Sequence, residues 1–288
     1  MEKKLYYYCS AKTFESILKN KEFWLSDVSR SNDYAEISVF FNRVKEKLEE
    51  RLRCLSTDSA QHKDRYSHVH KSALGQLNQA MMHSYFFAMC FTSLKDNLSQ
   101  WRAYGDDGRG FCIEIDSEKL ERLKSKYCDT EMMKLKPISY SSDDMDIEID
   151  QLISSLDAII NSNDSSKRVV DACREWALTV VNAAAYYKTE GFFVEKETRL
   201  CYARVTTIKQ MRNVDYGSHL EKIGFRVTNN DCIPYMTFPI GKFRTLISNI
   251  TIGPRNMASA DIVQFMLAKY KFSQKISVSK SNVTYRGK

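Results

Sequence analysis

Apolar and polar positions along this chain follow two rhythms, one of period two and one of about 3.6 residues. At the start, "LYYYCS" (5–10) predicts a short aromatic strand, "TFESILKN" a two-turn amphipathic helix, and "EFWLSD" (22–27) a second strand. Residues 33–54 then carry apolar positions at helical spacing through "YAEISVFFNRVKEKLEERLRCL". The polar stretch "DSAQHKDRYSHVHKS", with three histidines, predicts a loop or a frayed helical segment. "YFFAMCFTS" (85–93) is a continuous apolar run followed by turn residues, the pattern of a strand buried on both faces.

"DNLSQWRAYG" predicts a short helix that Gly105 ends in a left-handed cap. "GFCIEID" (110–116) reads as a strand and "SEKLERLKSKY" as a helix. Residues 141–188 read as helical in two pieces divided at "NSNDSSK". After Gly191 the chain becomes strand-rich in "FFVEKETRLCYARV", "YMTFPI", "ISNITIG" and "KISVSK", with one helix in "ASADIVQFMLAKY". No repeat or linker divides it. The expected fold class is α+β: one domain over 1–288, with helical insertions at about 40–85 and 140–188.

Composition narrows this picture. The 288 residues are 43% hydrophobic and 12% aromatic, a globular balance. The net charge of +7 is spread along the chain without a basic run, so it permits nucleic-acid contact without requiring it. Eight cysteines include no CxxC pair and are expected to be small buried residues in a reducing compartment. The start "MEKKLYYYCS" has no apolar leader core, and "WALTVVNAAAYY" is too short to span a bilayer. A cytoplasmic protein without membrane contact is expected.

Candidate chemistry is sparse. His62, His68 and His70 lack a firm further ligand, and a surface loop is the expected explanation. "SSDDMDIEID" (141–150) is expected to be a helix start, with Ser and Asp caps and acids that suit the helix dipole. "LSDVSRSNDYAE" gathers Ser26, Asn32, Asp33 and Glu36 at a strand-to-helix turn, although Asp33 and Glu36 alone would form a capping box. Trp101 and Tyr104 share a helix face beside a glycine-containing loop, so one ring is a candidate cleft residue. In "FVEKETRL" (193–200), period two puts Phe193, Glu195, Glu197 and Arg199 on one strand face. An exposed ion-pair strand and a pair of carboxylates for acid–base or oxocarbenium chemistry both fit that pattern.

Taken in order, "LYYYCS", "FWLSDVSRSNDYAE", "CFTSLKDNLSQWRAYGDDGRGFCIEID", "YYKTEGFFVEKETRL", "ITIGP" and "VSKSNVTYR" resemble the bacterial, phage-defence-associated family known as domain of unknown function 2971. More distantly, they resemble the ADP-ribosyltransferase superfamily. That second resemblance implies a split, mostly antiparallel sheet clamping NAD as substrate. It makes Glu197 the residue that stabilises the oxocarbenium ion and Glu195 the one that orients the acceptor. It further implies a ligand-binding set of Tyr7, Tyr8, Ser26, Asn32, Asp33, Trp101, Tyr104 and Arg199, with Tyr104 or Trp101 stacking on nicotinamide. The first strand carries tyrosines where that superfamily usually has His or Arg. The implied protein is a toxin-like effector of anti-phage defence that modifies a macromolecular acceptor, protein or nucleic acid, or hydrolyses NAD, and answers to a regulatory partner protein. Two other classes stay open: a non-enzymatic sensor binding nucleic acid or a partner, and a metal-dependent nuclease using Asp33, Glu36, Glu195 and Glu197.

Overall fold

A computed structural model describes residues 2–28, 36–54, 60–127, 133–162, 165–205, 223–227, 231–241 and 245–286. The chain opens β1 (Lys4–Cys9), α1 (Ala11–Asn20), β2 (Glu22–Asp27), followed by α2 (Glu36–Cys54), α3 (Ala60–His83) and β3 (Ser84–Thr92). Next come α4 (Leu98–Ala103), β4 (Phe111–Asp116), α5 (Ser117–Tyr127) and β5 (Met133–Pro137). Three helices follow, α6 (Ser142–Ser154), α7 (Leu156–Asn161) and α8 (Ser166–Ala184), then a 3-10 turn at Glu190–Glu195 and β6 (Glu197–Val205). β7 (Ile223–Val227), β8 (Cys232–Pro239), β9 (Ile247–Ile252), α9 (Ala260–Lys269) and β10 (Ser277–Lys280) complete the described elements. The fold is mixed α/β, built on one large, open, mostly antiparallel sheet.

The sheet runs β10-β9-β4-β1-β3-β2-β8-β7, with β6 pairing both β3 and β5. Among the described pairs of strands only β9–β10 is parallel. β3 is the hub, and its apolar run follows from burial on both faces. Phe86 and Ala88 enter one core together with α2, α3 and α6–α8, whereas Phe87, Met89 and Phe91 enter a second core. That second core is lined by β1, β2, β4, β8, β9, α1, α5 and α9. One edge of β3 pairs with β6 at every position from Ser84 to Thr92. The other edge is shared: β2 takes Phe87 and Ala88, and β1 takes Thr92. Across Met89, Cys90 and Phe91, no described strand pairs with that edge. The sheet forks there.

Of the two expectations for the histidine-bearing stretch, a loop or a helical segment, the described residues from Ala60 onward form a helix. Tyr66, Val69, His70, Ala73, Leu77 and Ala80 fall at i, i+3, i+4, i+7, i+11 and i+14 and form the buried stripe of α3. His70 is fully buried in that stripe and stacks on Tyr66, while His68 is exposed. His68 and His70 therefore point to different surroundings, and the surface loop expected for them is not found. The acidic stretch does begin a helix: Ser141 accepts the amide of Asp144 at 3.1 Å. Its later acids stitch α6 to α2, through an Arg43–Asp146 fork (2.9 and 3.0 Å) and Lys47–Asp150 (2.8 Å). No described helix is long and apolar enough to cross a membrane.

His70 also has a consequence for stability. Its Nδ1 lies 3.0 Å from the Tyr66 carbonyl, which can only accept, so Nδ1 carries the proton and the buried Nε2 finds no partner among the described residues. Burial, more than the nearby Arg51, lowers its pKa; Asp157 and the Tyr66 carbonyl pull the other way. A histidine neutral in the fold and protonated when unfolded favours the folded state above its ordinary pKa of 6.5, and that advantage is lost as pH falls through 6.5. Urea unfolding at pH 7.5 and 5.5 should show wild type losing more stability than His70→Phe over that interval.

Candidate functional site

The fork in β3 opens into a cavity of about 380 Å³. Tyr6–Ser10 of β1 and the cap of α1 line one wall, Trp24 and Ser26 of β2 the opposite wall, and Ala88–Thr92 the floor. Gln100, Tyr104, Glu195 and Glu197 close one end.

Glu195 and Glu197 reach this end by a route that the alternation of the sequence does not foresee. Residues 190–195 form a 3-10 turn, and Lys196 adopts a left-handed conformation with φ 43°. The strand begins only at Glu197. Phe193, expected on the strand face with the acids, is 57% exposed. The Glu195 carbonyl accepts from Thr92 Oγ1 at 2.7 Å and from Gln100 Nε2 at 3.4 Å, which pins the turn against β3 and α4.

What joins the two carboxylates is a residue the sequence reading missed. Lys188 Nζ lies 2.9 Å from Glu195 Oε2 and 2.6 Å from Glu197 Oε2. It comes from the segment beyond α8, where its amide donates to the Ser139 carbonyl at 3.1 Å. On the far side of Glu197, Arg199 approaches Oε1 through Nε at 2.9 Å and through a terminal nitrogen at 2.8 Å. Another Arg199 nitrogen donates to the Ala185 carbonyl at 2.8 Å. Tyr140 accepts the Glu197 amide at 2.8 Å, and the Tyr104 hydroxyl donates to Glu195.

The charges explain the protonation states. Burial alone would raise the Glu197 pKa, but Arg199 and Lys188 together outweigh it and hold the group ionised, below the ordinary carboxylate value. Each carboxylate oxygen has two acceptor directions, so the two cations leave capacity for further donors. The Cys90 thiol already takes up part of it. Burial within the cleft, followed by the Glu197 charge, raises the Cys90 pKa, so that thiol is a donor and not a thiolate nucleophile. Cys90 opens onto the cavity, whose walls still shield it from bulk water, and Cys232 is exposed, unlike Cys9, Cys112, Cys173 and Cys201, so the expectation of buried cysteines fails at those two positions. Burial and the Glu197 charge push the Tyr140 phenol up to about 12.

Of the other sequence candidates, Tyr7, Tyr8, Ser26 and Tyr104 line the cavity. The Tyr8 hydroxyl is engaged elsewhere, donating to the Leu94 carbonyl at 2.9 Å and accepting from the Asn97 amide at 3.0 Å. Trp101 is fully buried beneath the cavity wall, edge-on to Tyr8 with ring centroids 4.8 Å apart, so it is not a stacking surface. Gly105 leaves room for it: a Cβ there would lie 2.6 Å from the Trp101 ring. The left-handed residues after α4 are Asp106, Asp107 and Gly108, rather than Gly105. Arg199 is 1% exposed and braces Glu197 without facing the cavity. Asn32 and Asp33 lie outside the described residues, and of Glu36 only the backbone is described. Among the described residues no group of three or more His, Cys, Asp or Glu is arranged to hold a metal.

The C-terminal segment clasps the loop behind this wall. Asp96 accepts from the Trp101 indole at 2.8 Å, from the Ser281 hydroxyl at 2.5 Å and from the Asn282 amide at 2.7 Å. Tyr285 donates to Asp107 at 2.8 Å, and Arg255 pairs with the same carboxylate.

With the geometry in view, comparison with known proteins gives one result. Residues 100–200 match the model of a family described as Protein of unknown function (DUF2971). No curated protein and no solved structure matches the chain. The matched segment contains Gln100, Tyr104, Lys188, Glu195, Glu197 and Arg199, whereas the β1 and β2 walls lie outside it.

Removing one partner from a buried, hydrogen-bonded ion pair costs about 3–5 kcal/mol, because the other charge is stranded. Arg199→Met should lower the unfolding free energy by about that amount at pH 7, measured by denaturant titration. Glu197 then keeps Lys188 as its cation and loses Arg199, so the deficit should shrink as pH falls through the carboxylate range, and Glu197→Gln in the same chain should restore part of it.

Proposed function

We propose that the cavity binds NAD as a substrate and that the protein is an ADP-ribosyltransferase-like enzyme acting on a macromolecular acceptor or on water. The observation that carries this is Glu197: a carboxylate held ionised by Arg199 and Lys188 at the closed end of an aromatic-lined cleft. A fixed negative charge in a water-poor site favours a reaction that develops positive charge beside it. Breaking the glycosidic bond of NAD is such a reaction. Nicotinamide leaves with the bonding electron pair, the ribose becomes an oxocarbenium ion, and Glu197 accepts a hydrogen bond from the ribose hydroxyl.

Glu195 is the more accessible of the two acids, at 16% side-chain exposure against 5% for Glu197. In this scheme it receives the proton of the attacking nucleophile, which forms the new bond to the ribose carbon. Lys188 sets the spacing of the two acids. The Tyr104 ring, 38% exposed and tied to Glu195, is the aromatic surface for nicotinamide in preference to the buried Trp101. Ser10 and Ser26 supply hydroxyls from the β1 and β2 walls, where the superfamily's charged ribose anchor is replaced by tyrosines. The forked sheet supports the resemblance to that superfamily, and the resemblance to defence-associated proteins makes an anti-phage effector under the control of a partner protein the setting we propose.

Nicotinamide release from NAD, followed by chromatography with and without protein and nucleic-acid acceptors, tests this reading. Wild type should turn over, and Glu197→Gln should be slower by roughly 10²–10³-fold, the usual effect of losing one fixed electrostatic contact to a transition state. Absence of release under every condition, or an unimpaired Glu197→Gln, would overturn it. Because the Glu197 pKa is lowered, the ratio of the wild-type rate to that of Glu197→Gln should hold as pH falls towards 4.5 wherever the fold survives, and shrink only below that value as the carboxylate gains its proton.

A further inference from the structure

Away from Glu197, the β2 wall of the cleft carries a built aromatic stack. The Trp24 indole lies on the Tyr235 ring, with centroids 4.0 Å apart and planes 16° from parallel. Tyr235 in turn lies against Gly224, its register partner on β7. A Cβ at Gly224 would come within 2.5 Å of the tyrosine ring, so glycine at this strand position is what lets Tyr235 settle. The indole N–H donates to Glu22 at 3.0 Å, which fixes the rotation of the ring. Cross-strand aromatic pairs stabilise many sheets. This one differs in that Tyr235 is the only ring touching Trp24 among the described residues, and the indole, half-buried, lines the cavity.

Its position gives it a chemical meaning. Ser26 lies opposite Ala88 and Glu197 opposite Thr92, so these two residues are offset by four β3 residues. At roughly 3.3 Å per residue that is about 13 Å. Trp24, on the same face as Ser26, lies two residues back along the antiparallel β2, towards Cys90, so its offset from Glu197 along β3 is two residues, about 7 Å. β2 and β6 flank β3 on opposite edges, two strand spacings or about 10 Å apart, and the fork widens that gap. A ring lying on Trp24 is therefore well separated from a bond cleaved at Glu197. A dinucleotide carries a second ring at such a separation from its reacting end.

We propose that Trp24, backed by Tyr235 and Gly224, is the stacking platform for a purine, the adenine end of the ligand. The proposal rests on the reading of Glu197 as the reacting end of an NAD site. The indole offers one flat, preorganised face, and stacking on it needs no rearrangement of the strand. Nicotinamide, bonded to the carbon that reacts, stays at the Glu197 end.

The two halves of NAD separate the two ends of the cleft. Calorimetric titration of the full chain with AMP and with nicotinamide mononucleotide should show that Trp24→Ala weakens AMP binding about tenfold, the scale of one lost base stack, and leaves the mononucleotide within twofold. Trp24→Phe, which keeps a smaller ring and protects the fold, should fall between. Thermal unfolding of each variant confirms that it is folded. Unchanged AMP affinity in both folded variants, or no AMP binding by wild type, overturns the platform. Trp24-dependent AMP binding without any nicotinamide release keeps the platform and removes the catalytic reading of Glu197. Nicotinamide release with wild-type KM in Trp24→Ala does the reverse.

Discussion

Everything at the candidate site follows from one constraint on β3: a single strand edge cannot serve two full-length neighbours. β6 occupies one edge completely, while β1 and β2 divide the other and diverge from it. The three residues between them, Met89, Cys90 and Phe91, become the floor of a cleft instead of the middle of a ladder. The strand tolerates this because both of its faces are buried in separate cores, which hold it without help from the open edge. A cleft made in this way is walled by strands and one helix cap, elements stiff enough to keep aromatic rings in place.

The second requirement is electrostatic. A lone carboxylate as buried as Glu197 would protonate, since burial penalises its charge by far more than a hydrogen bond returns. Two cations on opposite oxygens reverse that outcome. Arg199 is suited to the inner position because its planar group reaches Glu197 and the Ala185 carbonyl together, which a lysine ammonium does from one point only. Lys188 takes the outer position, where a single point charge bridges two acids. The four charges cancel, so the site can sit at the end of an apolar cleft at modest cost.

Much of the sheet and its helices is legible along the chain because burial writes its period into the sequence. β2 coincides with "EFWLSD", and β3 lies within one residue of its apolar run. Short or weakly apolar strands leave no such mark: neither rhythm predicts β5, "MKLKP", or β7, "IGFRV". α3 was obscured because its stripe begins inside a polar, histidine-rich stretch and counts His70 as a core residue. At the site, Glu195 and Glu197 were visible as a pair for a reason the fold does not use. Period two suggested a shared strand face, but the left-handed Lys196 breaks the strand between them, and nothing in a lysine announces a positive φ. Lys188 was invisible for a simpler reason. Its role exists only once the segment after α8 folds back beside β6.

The clasp between the C-terminal segment and the loop after β3 bears on how the protein is made. The cleft draws on residues from Tyr6 to Glu197, and the loop carrying Gln100 and Tyr104 is tied down by Ser281, Asn282 and Tyr285. β1 itself lies beside β4, which pairs with β9 near the other end of the chain. During synthesis from the N-terminus, the helical layer and β3 can gather early, whereas the clasp must wait for Ser281, Asn282 and Tyr285 to emerge. The nascent chain therefore carries its acids and aromatics without the finished cleft that brings them together until residues 281–285 have emerged, and chemistry at this site is deferred to that point.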